Sequence, residues 1–195
     1  SPNPAWDGPM PLVRSFALST KKGKEIWVEP IVDREHKQIR FEIRTGPGWP
    51  DGTVGRQGAV CLATDTPVPF SYIRAEGQAG RMGAQLMAIV VDGPAGRAYL
   101  PPDSAHEDAA LSATPPPDTP MSELTGKAAV NVPLYGLRTH ADLFTARQSL
   151  LMTTFSDLVD ECYAHIRRDG AGEQYSRAVV TYLAFAVDRL ADRGC

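Results

Sequence analysis

The chain has 195 residues, 43% of them hydrophobic and 22% charged, with a net charge of −3. That length suits one large or two small domains, and the balance is that of an ordinary globular protein. It excludes a strongly basic polyanion binder. No apolar run approaches the ~20 residues that span a bilayer, so no membrane partner is expected.

The first half reads as strands. Leu12 to Ser19 alternates apolar and polar side chains, and the turn Lys21-Lys22-Gly23-Lys24 suits an exposed hairpin tip. Glu25 to Val32 returns as a second strand, with Pro30 marking an edge or a bulge. Gln38 to Arg44 alternates strictly, with Ile39, Phe41 and Ile43 on one face and Arg40, Glu42 and Arg44 on the other. Thr45 to Gly55 is rich in Gly and Pro and reads as a loop. A short helix over Ser71 to Gly77 follows. Then Gln85–Asp92 and Arg97–Leu100 form a hairpin around Gly93-Pro94-Ala95-Gly96. Together these predict an antiparallel sheet from about residue 10 to about 101.

The second half reads as helix. Ser104 to Ala113 is a short amphipathic stretch that Thr114 to Thr119, with three prolines, brings to a stop. Met121 to Tyr135 is a connector. Over Thr145 to Arg168, Leu151, Phe155, Leu158, Cys162 and Ile166 recur on one face of a helix. Asp169-Gly170-Ala171-Gly172 breaks it. A second helix, Glu173 to Ala191, carries Tyr175, Val179, Tyr182, Ala186 and Leu190 on one side. So short a glycine turn predicts antiparallel packing. The expected class is α+β, an N-terminal antiparallel sheet region over 1–101 and a helical region with a C-terminal hairpin over 102–195.

Charge is unevenly shared. Residues 1–101 hold 12 Lys and Arg against 10 Asp and Glu, whereas residues 102–195 hold 8 against 13. The three cysteines, Cys61, Cys162 and Cys195, have no framework spacing, which points to a reducing, cytoplasmic setting without structural disulfides. Ser-Pro-Asn-Pro at the start lacks the basic and apolar parts of a signal peptide. Both ends read as cut from something larger, and there is no internal repeat.

No arrangement of catalytic type stands out. His36, His106, His140 and His165 are scattered, without metal-ligand spacing. The run from Gly77 to Gly83, with Gly80 and Arg81, is glycine-rich but lacks the Lys-Ser/Thr of a phosphate loop and reads as a structural turn. The aromatic residues Trp27, Phe41, Tyr72, Tyr163, Tyr175, Tyr182 and Phe185 occupy core-like positions, favouring packing over base stacking. Arg14, Lys21, Lys22, Lys24, Arg40 and Arg44 fall on one three-stranded meander and form the candidate phosphate-contacting set. The alternative is a solvated outer face, which the nearby Glu25, Glu29, Glu35 and Glu42 favour.

Several segments carry a resemblance. Pro2-Asn3-Pro4, Pro11 to Ser15, Lys21 to Lys24, Val28-Glu29-Pro30, Arg40-Phe41-Glu42, Gly52-Thr53-Val54, Gly58-Ala59, Tyr72 to Gly77 and Gly80 to Gly83 do so in the first half. Pro133 to Leu137, Asp142 to Thr145, Arg147-Gln148, Phe155 to Val159, Tyr182-Leu183-Ala184 and Asp188 to Asp192 continue it. In this order they resemble the central region of bacterial adenine-specific DNA methylases that contain a zinc ribbon. The family's first zinc knuckle, Cys-Pro-x-Pro-x-Cys-Gly, is matched by Ser1-Pro2-Asn3-Pro4-Ala5-Trp6-Asp7. Its second, Cys-x-x-Cys-Gly, is matched by Cys61-Leu62-Ala63-Thr64-Asp65. One thiolate of four ligands remains, and a single thiolate cannot hold zinc. Trp6 and Leu12 are expected to fill the space between the two turns instead.

The resemblance implies a parent enzyme that moves a methyl group from S-adenosylmethionine to the exocyclic amine of adenine. Its Asp-Pro-Phe-x-Gly-x-Gly and Asp-Pro-Pro-Tyr motifs are not in this chain. No catalytic, cofactor or metal residue is therefore expected here. The resemblance implies a non-catalytic insertion that contacts double-stranded DNA or serves as scaffold for the rest of the methyltransferase. The alternative is a structural or protein-interaction module without a nucleic-acid role, and an intact enzyme ranks third.

Overall fold

The computed structural model describes residues 1–94, 96–117 and 119–193. Ala95 of the expected second hairpin turn, Asp118 of the proline-rich break, and Gly194 and Cys195 lie outside the described residues. The fold is α+β, with small antiparallel sheets followed by two helices packed as a hairpin. It divides into two compact units. One is Ser1–Glu107 with Asn131–Gly136, and the other is Asp108–Val130 with Leu137–Cys195.

Three strands carry the first unit: β1 (Ala17–Ser19), β2 (Ile26–Asp33) and β3 (Gln38–Thr45), in that order across the sheet. The alternation of β3 decides its orientation. Ile39 and Phe41 are buried while Arg40, Glu42 and Arg44 are exposed, because successive strand residues face opposite sides. Pro30 sits in the middle strand yet at a locally open edge. Val28 donates its N–H to the Phe16 carbonyl, so the nitrogen two residues on faces the same side, beyond the end of β1.

The strand expected over Leu12–Ser19 is shorter than its sequence pattern. Residues before β1 turn away from β2 and are held by the loop over residues 45–55. The buried Thr53 hydroxyl donates to the Pro11 carbonyl at 2.7 Å and accepts the Val13 N–H at 2.8 Å. Val54 N–H then bonds the Val13 carbonyl, and Ser15 bridges Asp51.

The single sheet expected to run from about 10 to about 101 is instead three separate ladders. Glycines and prolines interrupt it. β4 (Gly58–Val60) pairs with β5 (Pro67–Pro69), and β6 (Ile89–Gly93) pairs with β7 (Gly96–Leu100). Gln85 to Ala88, expected to open the strand of β6, forms no ladder. Gln85 reaches the β3 edge only through its side-chain amide, 2.8 Å from the Ile39 carbonyl. Helix α1 (Phe70–Gln78) follows β5 directly and buries Ile73. Its Gly77 packs so close to the backbone of Tyr135, distant in sequence, that a Cβ there would collide with the Tyr135 carbonyl. The core joins Trp6, Phe16, Val28, Ile39, Phe41, Ala59, Cys61, Ala63, Val68 and Ile73.

Helix α2 (Ser104–Ser112) buries no side chain, so the expected amphipathic stretch has no covered face. The connector holds a short helix, α3 (Ala128–Asn131), and a 3₁₀ turn over Val132–Tyr135.

In the second unit, α4 (Ala146–Arg168) starts at a reciprocal cap. Thr145 accepts the Gln148 N–H, and the Gln148 side chain accepts the Thr145 N–H. Gly170, at φ 91°, then reverses the chain into α5 (Glu173–Arg193), which packs against α4. The expected core stripe is covered only in part: Cys162, Ile166, Val179 and Leu190 are half-buried. Leu151, Phe155 and Leu158 are exposed, as are Tyr175, Tyr182 and Phe185. Among the described residues of the two helices, the fully buried ones are Ser149 and Ser176, each in the first turn of its helix. No described helix is long and apolar enough to cross a membrane.

Candidate functional site

The two knuckle-like turns meet in the core of the first unit. Trp6 is almost wholly buried, and its indole N–H donates to the Pro9 carbonyl at 2.9 Å. The Lys37 ammonium lies 5.6 Å from the indole centroid and bonds the Ala5 carbonyl at 2.8 Å. Leu12 packs against the same cluster, which includes Cys61 and Ala63 of the second turn. Polar groups join the turns as well. Asn3 donates its amide to the Thr66 hydroxyl at 2.9 Å, and the Tyr72 hydroxyl donates to the Ser1 carbonyl at 3.0 Å. Arg34 caps the second turn through the Ala63 carbonyl.

The second turn is closed by two backbone hydrogen bonds. Asp65 donates its N–H to the Cys61 carbonyl at 2.8 Å, and Cys61 N–H bonds the Thr66 carbonyl at 3.0 Å. Asp65 itself is left-handed, at φ 53°, a conformation that favours glycine. It stands where the resembled motif has its glycine. Asp65→Gly is therefore expected to stabilise the chain by about 0.5–1 kcal/mol, the left-handed strain less the entropy of the added glycine. A midpoint of urea unfolding that falls would refute this.

Ser1, Trp6, Cys61 and Thr64 form the corner where the four ligands of such a pair of turns would converge. Burial pushes the Cys61 thiol up. Hydrogen bonds with the side chains of Thr64 and Ser1 and with the Ala63 and Thr64 amides outweigh it, and the net shift is downward. Two hydroxyls, an indole and one thiol do not match zinc's preference for four Cys or His ligands. Among the described residues, no group of three or more His, Cys, Asp or Glu is placed to hold a metal ion.

Beside this corner lies a half-open groove of about 760 Å³, lined in part by Met10, Leu12, Tyr72, Met82 and Met87. Glu76 and Arg81 form a two-pronged pair on it, with both hydrogen bonds at 2.8 Å. The hydrogen bond to Arg81 holds the Glu76 carboxyl below its ordinary range, against a smaller upward push from burial. The stability this pair contributes is complete above the ordinary glutamate range. It is lost as pH falls through the lowered folded value. Glu76→Gln should thus leave the fall in stability below pH 4.5 shallower than in the parent chain, as read by urea unfolding at stepped pH. Parallel curves would remove the pair from the account. The glycine run from Gly77 to Gly83 begins in the last turn of α1. A helix C-terminus is the negative end of the dipole, so this run is no anion cradle.

The six basic residues are all exposed, but they are not equivalent. Lys21, Lys22 and Lys24 cluster on the β1–β2 turn, where Gly23 is left-handed and Lys24 N–H bonds the Lys21 carbonyl at 2.8 Å. Arg44 lies opposite Trp27, near the same end of the sheet. It is occupied by Glu29 at 2.5 Å and Glu42 at 2.8 Å. Arg40 lies farther along β3, opposite Ile31. Arg14 precedes β1, and its carbonyl packs against Gly52. The histidines stay apart. His36 pairs with Asp33, His106 with Asp103, and His140 with Ser122. Arg34, Lys37 and Thr66, which help build the corner, are not marked by any pattern in the sequence. Asp65 at a glycine position is the one feature of the sequence that marks the strained turn.

The chain matches no protein-family model, no curated protein and no solved structure.

Proposed function

We propose that this chain is a non-catalytic central segment of an S-adenosylmethionine-dependent DNA adenine methyltransferase, and that it contacts duplex DNA through its lysine turn. The observation that supports the family part of this reading is the convergence of the two turns, with left-handed Asp65 at the knuckle's glycine position. Asp7, at the matching position of the first turn, is not left-handed, so the support comes from the second turn and from the contact of the two. The cofactor and the transferred methyl group belong to the rest of the parent protein in this reading. The DNA part is supported by three uncompensated ammonium groups on one exposed turn. Among the described residues, Lys21, Lys22 and Lys24 make no ion pair, whereas Arg44 is neutralised by its neighbours.

The test is fluorescence anisotropy with a labelled duplex across a salt series. Weak binding of many sequences alike, falling steeply with salt, is expected from phosphate contacts. No binding at the lowest salt would give first place to the second reading, a structural or protein-interaction module. The exposed apolar side chains of α4 and α5 favour that second reading.

A further inference from the structure

The outer edge of β3 is open where the groove meets it. Val28 donates its N–H toward β1, so the even-numbered residues of β2 face β1 and the odd-numbered ones face β3. The register sets Glu29 of β2 opposite Glu42 and Ile31 opposite Arg40, so the even-numbered residues of β3 bond β2. The backbone groups of Ile39, Phe41 and Ile43 therefore point away from the sheet. The Gln85 side-chain amide, which reaches the Ile39 carbonyl, fits this geometry. Among the described residues, the N–H and carbonyl of Phe41 and of Ile43 have no partner on that edge.

Two observations set this edge apart from one that merely faces solvent. Phe41 is only 6% exposed, so water reaches its unpaired groups poorly, and such groups are costly when shut away from water. Phe41 also lines the groove, together with Met10, Leu12, Ile73 and Met87. At about 760 Å³ the groove falls within the ~300–1,000 Å³ of pockets that take whole ligands. Residues 85–88, beside it, offer no backbone bond to β3.

We propose that this edge takes an extended peptide as a fourth, antiparallel strand whose apolar side chains enter the groove. An extended backbone repeats its donors and acceptors every second residue, as the open edge does. Antiparallel pairing continues the sense of the sheet and is the more stable of the two. Peptide residues opposite Phe41 and Ile43 share their side of the sheet, which is the apolar side. The intervening residues lie on the other side, beside Arg40, Glu42 and Arg44. Glu42 and Arg44 pair with each other, whereas Arg40 makes no ion pair among the described residues. An acidic residue beside Arg40 complements it. The partner is thus a segment in which apolar residues alternate with polar ones, at least one of them acidic. This inference is independent of the DNA reading.

The experiment titrates the full, isotopically labelled chain with a peptide of about nine residues that alternates valine with threonine and glutamate. Amide NMR and hydrogen exchange give the readout. Saturable binding below about 500 µM is expected, with the Phe41 and Ile43 amides shifted and at least about 10-fold better protected. No binding overturns the proposal, and so do Phe41 and Ile43 amides already protected in the free chain. Shifts confined to groove side chains, with both amides unmoved, make the groove a general apolar site and overturn it too. Methylating the peptide's valine nitrogens removes the bonds to β3 and should weaken binding at least about 10-fold. Methylating its threonine and glutamate nitrogens, on the far edge, should leave affinity unchanged. Two methylated peptides of equal affinity overturn the strand geometry. Ile43→Pro deletes one outer N–H and spares the ladder to β2, so it should weaken binding as well. A folded Ile43→Pro chain with the parent's affinity counts against the proposal in the same way. Should that variant unfold, the methylated peptides decide.

Discussion

Replacing Trp6 by alanine is expected to lower the unfolding free energy by about 3–5 kcal/mol, the range for emptying a fully buried large aromatic site. The side chain is 1% exposed and lies in the cluster that joins both turns to β2, β3 and α1. Little around it is free to collapse. Gly8 already approaches the Lys37 carbonyl so closely that a Cβ there would sit 2.1 Å from its oxygen. The loss is a large part of the ~5–15 kcal/mol that holds a typical domain together. Trp6→Phe keeps most of the apolar volume but leaves the Pro9 carbonyl without its donor. It should cost about 1–3 kcal/mol, less than alanine. Urea unfolding followed by circular dichroism measures both. An alanine variant within 1 kcal/mol of the parent would show that the turns are held by their backbone bonds and not by the indole.

Replacing Lys21, Lys22 and Lys24 together by alanine is expected to flatten the salt dependence of duplex binding by about three units of slope. Each neutralised phosphate contributes close to one. Those three contacts alone make affinity fall ~40-fold between 50 and 200 mM salt. The loss should be the same for all sequences, since phosphate contacts carry no base information. Stability should barely move, because the three side chains are exposed. Arg44→Ala is the control. Its charge is balanced by Glu29 and Glu42, so it should alter the slope by less than any one of the lysines. A triple variant with the parent's affinity and slope would reduce the turn to a solvated hairpin tip.

The local features of this chain were decided by its sequence. The alternation over Gln38–Arg44 placed Ile39 and Phe41 inside. Gly23 and Gly170 marked the reversals, and the prolines of 115–117 ended a helix. These depend on backbone sterics and on periods of two or 3.6, which neighbours in sequence carry by themselves. What lies far apart was decided by tertiary structure. The pairing of residues 11–15 with 51–54 rests on one buried hydroxyl, Thr53, whose type says nothing of where it will bond. The neutralisation of Arg44 depends on the register that brings Glu29 across from Glu42. The convergence of Ser1 and Trp6 with Cys61 was decided by tertiary structure, because no local pattern encodes a contact across 55 residues. The stripe on α4 and α5 shows the limit most plainly. Periodicity shows that a helix has an apolar face, but what covers that face depends on surfaces elsewhere. In this chain Ile166 and Val179 are half-buried, while Phe155, Tyr182 and Phe185 are left in solvent.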